Sequence, residues 1–349
     1  MVENFTIAGG NVEVRILLTI GGCPMRDAIT DRVTQAVMGV EGVAAVDVIL
    51  GVMSDEQRTA LREKLQGGPS KEIPFARPGS LTRVIAVTSG KGGVGKSSLT
   101  VNLAVAMAAR GHSVGIVDAD IYGHSVPNML GCTDLPTRVA EGFMIPPQAH
   151  GVKVISMLPF KPGGSSEPVA YRGPLLHRVL QQFLSDFFWG DLDVLLLDLP
   201  PGTGDIAMSV AQLIPSSEIL VVTTPQAAAA EVALRAGILG RTTHQNVIGV
   251  VENMSAVACP ACGEPLELFG SGGGEMVAAE LTRQLGAPTR LLAQVPFDVR
   301  LREGGDRGEP LVLSDPTTPA AAAIYALADA LVARPRGLAG MSLTVTPTK

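Results

Sequence analysis

Residues 90–97, Gly90-Lys91-Gly92-Gly93-Val94-Gly95-Lys96-Ser97, restrict the possible folds of this chain more than any other stretch. They fit the phosphate-binding pattern G-x-x-x-x-G-K-[ST] at every position. Ahead of them Val84-Ile85-Ala86-Val87-Thr88 is a short β-branched run that reads as a buried strand, and residues 97–107 read as a helix. Strand, glycine loop and helix in that order aim backbone N–H groups at an anion, with the positive end of the helix dipole behind them. Glycines are required because side chains would block the approach and because some loop positions take positive φ. The cradle expected here runs from Gly90 to Ser98. Lys96 meets the β- and γ-phosphates, and the Ser97 hydroxyl coordinates Mg²⁺.

The rest of the composition bounds the partners. The 349 residues are enough for about two domains. Net charge is −6 from 27 basic and 33 acidic residues, with no long basic run, which argues against a sequence-independent nucleic-acid surface. Met1-Val2-Glu3-Asn4 has neither the basic start nor the apolar stretch of a signal peptide. The apolar run at 320–333 contains Asp329 and falls below the ~18 residues a membrane span needs. Four cysteines in a chain this long do not make a disulfide scaffold, so reduced thiols and a cytoplasmic setting are expected.

The pattern of elements predicts an α/β fold. Residues 12–20 read as a strand, 25–40 as a helix, 43–52 as a second strand and 55–65 as a helix opened by Ser54. These form a small α+β N-terminal domain over 1–66, followed by a linker at 67–80. From residue 81 strands alternate with helices, which predicts a mostly parallel sheet flanked by helices on both faces. Strands are expected at 83–89, 113–118, 152–157, 193–198, 218–223 and 247–252. This larger domain extends to residue 335, and 336–349 reads as a flexible tail.

Three further features belong with the loop. Asp118 and Asp120 end the second strand of the large domain, where a metal ion and an attacking water must sit. Asp193-Val194-Leu195-Leu196-Leu197-Asp198 is an apolar run closed by a carboxylate, the pattern that places Asp198 on the Mg²⁺ shell. Cys259-Pro260-Ala261-Cys262 is a lone C-x-x-C, a spacing shared by zinc knuckles, redox pairs and cluster ligands. It supplies two thiolates where a tetrahedral Zn²⁺ or an iron–sulfur cluster normally takes four ligands, and a twofold homodimer would supply the other two. Cys132 reads as structural, and for Cys23 a buried apolar role and a functional one stay open.

The loop with its early lysine, Lys91, resembles the deviant Walker A group of P-loop NTPases, which includes MinD/ParA-like positioning and partitioning ATPases, nitrogenase reductase and iron–sulfur carriers. That resemblance implies a face-to-face dimer in which Lys91 reaches the nucleotide of the other subunit. Asp118-Ala119-Asp120-Ile121-Tyr122-Gly123, Asp198-Leu199-Pro200-Pro201-Gly202-Thr203-Gly204-Asp205, Asn253-Met254, the Cys259–Cys262 pair, Phe269-Gly270-Ser271-Gly272-Gly273-Gly274 and residues 296–306 follow in order. With the loop they closely resemble Mrp-type iron–sulfur cluster carrier ATPases over about residues 81–335. The resemblance implies that Asp120 orients or deprotonates the attacking water. It further implies that Gly202 senses the γ-phosphate through its N–H and that Asn253 reads adenine. Asp205 remains open between a switch role and a helix cap. A [4Fe–4S] cluster is implied between two subunits on Cys259 and Cys262, for transfer to apo-proteins and in exchange with the cluster assembly machinery.

The N-terminal unit resembles the iron–sulfur assembly domain of the same proteins through Leu17-Leu18-Thr19-Ile20-Gly21-Gly22-Cys23-Pro24, and is expected to lack part of that domain's opening helix and strand. His124 stands where the family usually has proline. The expected function is an ATP-dependent cluster carrier, with no nucleic-acid or membrane partner. The alternatives are a positioning or partitioning ATPase, which needs a basic face or an amphipathic membrane helix, and a nucleotide-dependent regulator with structural zinc.

Overall fold

Alternating apolar positions in residues 12–18 build the first of two units. The computed structural model describes residues 2–18, 26–57, 72–138, 144–160, 173–259 and 261–333, and the chain divides after residue 71. In the first unit β1 (Val2–Ala8) and β2 (Asn11–Leu18) form an antiparallel hairpin. Gly9 and Gly10, with φ of 56° and 88°, make its two-residue turn, a conformation that matches the twist of paired strands. Helix α1 (Arg26–Met38) crosses to β3 (Ala45–Val52), which pairs parallel with β2. Val12, Val14 and Ile16 are buried against Ile29, Val33 and Val37 of the helix and Val48 and Leu50 of β3.

Strand β1 was not foreseen from the sequence. A register irregularity between Val2 and Asn4 breaks its period, and its Phe5 and Ile7 stay 64% and 66% exposed at the sheet edge. After β3 the Ser54 hydroxyl accepts from the Gln57 N–H (3.1 Å) while the Gln57 side chain accepts from the Ser54 N–H (2.9 Å). This reciprocal cap opens the helix expected there. The remainder of that helix, Cys23, residues 67–71 of the expected linker and the tail at 336–349 lie outside the described residues.

The second unit is built on an eight-stranded sheet. Its strands are β4 (Arg83–Ser89), β5 (Val114–Asp118), β8 (Gln148–Ala149), β9 (Val152–Ile155), β10 (Val194–Asp198), β11 (Glu218–Thr223), β12 (Asn246–Asn253) and β15 (Leu291–Val295). Short strands β6 (Thr137–Arg138) with β7 (Met144–Ile145) and β13 (Val257–Ala258) with β14 (Pro265–Leu266) form two separate ribbons. The main order is β15-β12-β11-β4-β10-β5-β9-β8, parallel throughout except for the short β8–β9 pair. Strand β15 was also unforeseen; it is a half-buried edge strand with a weak apolar pattern.

Side chains alternate across this sheet as the period of two demands. Ile85, Val87, Ile116 and Leu196 face α2 (Lys96–Ala109) and, further on, α10 (Pro319–Val332). Val84, Ala86, Leu195 and Leu197 face α4 (Gly173–Ser185) and α5 (Asp205–Leu213). Helices α6 (Ala227–Thr243) and α7 (Gly273–Leu285) cover β11 and β12. The short α3 (Val126–Met129), α8 (Val299–Arg307) and α9 (Leu311–Ser314) complete the rim near the strand ends.

Among the described residues, each unit has an apolar cluster of its own. A chain cut to residues 72–349 is therefore expected to unfold in one cooperative denaturant transition, its midpoint matching that of the large unit in the full chain. A molten, non-cooperative fragment would show that the first unit is needed for the second to fold.

Candidate nucleotide site and cysteine pair

The order of the central strands decides what meets at the site. Strands β4, β10 and β5 are neighbours, so the loop after β4 and the carboxylates ending β10 and β5 emerge side by side at the same edge. Asp198 pairs in register with Asp118 across β10 and β5, and two partners on adjacent strands point to one face. That face carries the start of α2. Lys96 Nζ lies 2.7 Å from Asp198 Oδ1 and 3.2 Å from Ser97 Oγ. The Ser97 hydroxyl donates to Asp198 Oδ2 (2.6 Å), and the Thr100 hydroxyl donates to Asp198 Oδ1 (2.9 Å). Lys96 is buried to 6% exposure, and both aspartates are at 0%.

Asp198 thus has its charge matched, while Asp118 does not. Asp118 Oδ2 accepts from the N–H groups of Ser125 (3.1 Å) and Val126 (3.2 Å), and its Oδ1 is buried with no hydrogen-bond partner among the described residues. Burial, followed by repulsion from Asp198, pushes its carboxyl up to about 8. A divalent cation is hard and takes oxygen ligands, and a free carboxylate oxygen beside a carboxylate and a hydroxyl suits it. Ser97, Asp198 and Asp118 therefore fit Mg²⁺.

The loop itself frames a cavity of about 250 Å³, which Lys91, Asp120, Ser125 and Pro201 also line. Gly95 holds φ of 78°, and a Cβ there would stand 2.3 Å from the Asn253 side-chain nitrogen. No other residue suits that position. Asn253, at the end of β12, donates to the Val94 carbonyl (2.9 Å). It also lines a second cavity of about 340 Å³, adjoining the loop, with Met254, Phe297, Leu301 and Arg302.

Of the remaining residues singled out from sequence, Lys91 and Asp120 line the smaller cavity. Asp120 Oδ1 accepts from the Gly123 N–H (3.0 Å). Lys91 Nζ donates to Gln226 Oε1 (2.9 Å) at the start of α6. The Gly202 N–H donates to the Ser89 carbonyl (2.8 Å), with Gly202 at φ of 90°. Asp205 begins α5, and its Oδ2 stands 2.7 Å from where a Cβ on Gly173 would be, so it faces the start of α4. The two ring nitrogens of His124 are buried without partners among the described residues.

Cys259 and Cys262 lie between β12 and α7, on the segment that follows Asn253. Cys259 is half-buried, Cys262 exposed and Cys132 buried, all as free thiols. Hydrogen bonds from the backbone of Ala261, then of Cys262, then from the Cys262 side chain hold the Cys259 thiol below its ordinary range. Among the described residues no three His, Cys, Asp or Glu side chains gather as a metal site within the single chain.

Comparison with known proteins now decides the family. Residues 80–332 match the model of the NUBPL iron-transfer P-loop NTPase, and residues 1–48 match that of an iron–sulfur cluster assembly protein. The chain is an iron-transfer P-loop NTPase of the NUBPL family. It is 59% identical to the iron–sulfur cluster carrier protein of Mycobacterium tuberculosis over 97% of this chain and 88% of that protein. It is 40% identical to the carrier protein of Deinococcus radiodurans, over 95% and 87% respectively. Among solved structures, a nucleotide-binding protein from Archaeoglobus fulgidus in complex with ADP superposes with a TM-score of 0.54 at 38% identity, over 65% of this chain and 86% of that one. The septum site-determining protein MinD of Pyrococcus horikoshii shares the fold, with a TM-score of 0.51 at 23% identity over 76% of this chain and 100% of that one. The Mrp-type resemblance and the P-loop α/β fold hold.

Within this NTPase, sequence reading missed Thr100, Gln226 and Glu252. Thr100 lies one helical turn beyond Lys96, and that spacing was a usable signal. Gln226 and Glu252 reveal themselves only through contacts across the sheet. The iron-transfer NTPase should show the strain of its carboxylate pair. Asp118 keeps its proton to about pH 8 when folded, against 3.8 ordinarily, so stability is full below about 4 and is lost as pH rises toward 8. In EDTA and without nucleotide, Asp118→Asn is expected to unfold at higher denaturant than wild type at pH 8. The gap should shrink by as much as about 1.4 kcal/mol per pH unit on going down to pH 5. A gap independent of pH would remove the buried-charge explanation.

Proposed function

We propose that the protein binds Mg·ATP, hydrolyses it, and carries a [4Fe–4S] cluster shared between two copies of the chain for delivery to apo-proteins. The observation behind this reading is the rooting of the cysteine segment. It departs from Asn253, the residue that closes on the phosphate loop at Val94 and lines the adjoining cavity. The phosphate loop and the start of the thiol segment therefore meet at Asn253.

Bound nucleotide would lay its phosphates along residues 90–98 and its base in the larger cavity beside Asn253. Ser97, Asp198 and Asp118 would hold Mg²⁺, which would supply neutralisation of phosphate charge there. Lys96, released from Asp198, would turn to the same phosphates. Asp120 would orient the water that attacks the γ-phosphorus as the bond to the β,γ-bridging oxygen breaks. The γ-phosphate would compete with the Ser89 carbonyl for the Gly202 N–H. Lys91, released from Gln226, would reach the nucleotide of the second copy. Cys259 and Cys262 offer two thiolates, a cubane takes four, and a twofold axis completes the set.

Anaerobic reconstitution with iron and sulfide is expected to give wild type a broad visible absorption band. Cys259→Ala and Cys262→Ala should lose the band and keep ATP binding, while Cys132→Ala keeps both. A colourless protein that retains zinc on these cysteines would replace the carrier reading with a regulatory one.

The hydrolytic roles are tested separately. Lys96→Ala should abolish turnover. Asp120→Ala should slow it by about a hundredfold with ATP affinity within about threefold, because water orientation acts in the transition state. Equal loss of affinity in both variants would remove the role given to Asp120.

A further inference from the structure

Glu252 is a buried carboxylate that the hydrolytic chemistry does not use. It is 1% exposed, sits beside Asn253 on β12, and forms no ion pair among the described residues. A carboxylate so placed survives only if strong donors surround it. Its Oε2 accepts from the Gly274 N–H (2.6 Å) in the first turn of α7, where the positive end of the helix dipole adds to the bond. Its Oε1 accepts from the Gln294 side-chain amide (2.8 Å) on β15.

The geometry around this bond is closely fitted. A Cβ on Gly274 would stand 2.7 Å from Glu252 Cβ, and one on Gly273 would stand 2.5 Å from the Pro225 carbonyl oxygen. Two glycines thus let the helix start press against β12 on one side and the end of β11 on the other. Residues 254–272, which hold Cys259 and Cys262, leave the sheet at Asn253 and return to it at Gly273. Glu252 fixes the return beside the departure. The contact at Pro225 lies next to Gln226, the partner of Lys91.

We infer that Glu252 is a positioning residue that clamps the base of the Cys259–Cys262 segment to the strand closing on the phosphate loop, so that the two thiols are presented at a fixed place relative to the nucleotide. The consequence for cluster loading rests on the carrier reading above; the clamp itself does not. Glu252→Ala leaves the Gly274 N–H without its acceptor. Glu252→Gln keeps an oxygen for Gly274, and its amide can donate to Gln294 once that side chain turns its oxygen inward.

The test is hydrogen exchange of the full-length protein read by mass spectrometry, with anaerobic cluster reconstitution and fluorescent-ADP titration alongside. In Glu252→Ala, peptides covering 255–276 should exchange about tenfold faster, as expected when a bond to a charged group is lost, while peptides of β4 and α2 stay at the wild-type rate. Cluster loading should fall by about fivefold or more with ADP affinity within about threefold, and Glu252→Gln should restore exchange and loading together. Wild-type exchange over 255–276 in Glu252→Ala would overturn the clamp. So would acceleration throughout the unit with equal loss of ADP binding, which would make Glu252 an ordinary core residue. If wild type takes up no cluster, the carrier reading fails, and the exchange result still decides the clamp.

Discussion

The register between β10 and β5 is the constraint on which the site depends. It places two fully buried carboxylates, Asp198 and Asp118, next to each other, with one buried lysine between the strands and the glycine loop. One ammonium satisfies one carboxylate. The second keeps its proton because burial and its neighbour oppose ionisation. An arrangement with one uncompensated acid and one orphaned oxygen is poor for stability and suited to a dication accompanied by phosphates. The hydroxyls of Ser97 and Thr100 hold the Asp198 carboxylate in one orientation.

From this centre two sets of contacts lead outward. One runs through Gly202, whose N–H rests on the Ser89 carbonyl, to α5 and on to α4 through Asp205. The other runs through Asn253 and Glu252 to the segment bearing Cys259 and Cys262. Lys91, parked on Gln226, sits close to the second route. In this iron-transfer NTPase the segment bearing the cysteine pair therefore departs from a residue that contacts the nucleotide loop, Asn253 on Val94, although more than 150 residues separate Lys96 from Cys259 in sequence.

Much of this was legible before the structure. The glycine loop, the two strand-end aspartates and the C-x-x-C are local signals, because each needs only a few neighbouring residues to state its chemistry. The parallel strands were legible for the same reason: both faces are buried, so each reads as an unbroken apolar run. Strands β1 and β15 escaped because they lie at sheet edges, where incomplete burial dissolves the apolar pattern: β1 is exposed throughout and β15 is mostly half-buried. Contacts made across the sheet escaped for a different reason. That Gln226 holds Lys91, that Gly202 is engaged by Ser89 and that Glu252 caps α7 depend on which strands are neighbours, and strand order is not written in any one segment.

The central claim is that nucleotide and cluster sites belong to a pair of chains. Native mass spectrometry of the anaerobically reconstituted, full-length protein with Mg·ATP tests it most directly. The account requires one species with the mass of two chains and a single [4Fe–4S] cluster, since each chain offers two thiolates and the cubane takes four. A single chain carrying a complete cluster would contradict it, as would a dimer carrying one cluster on each chain.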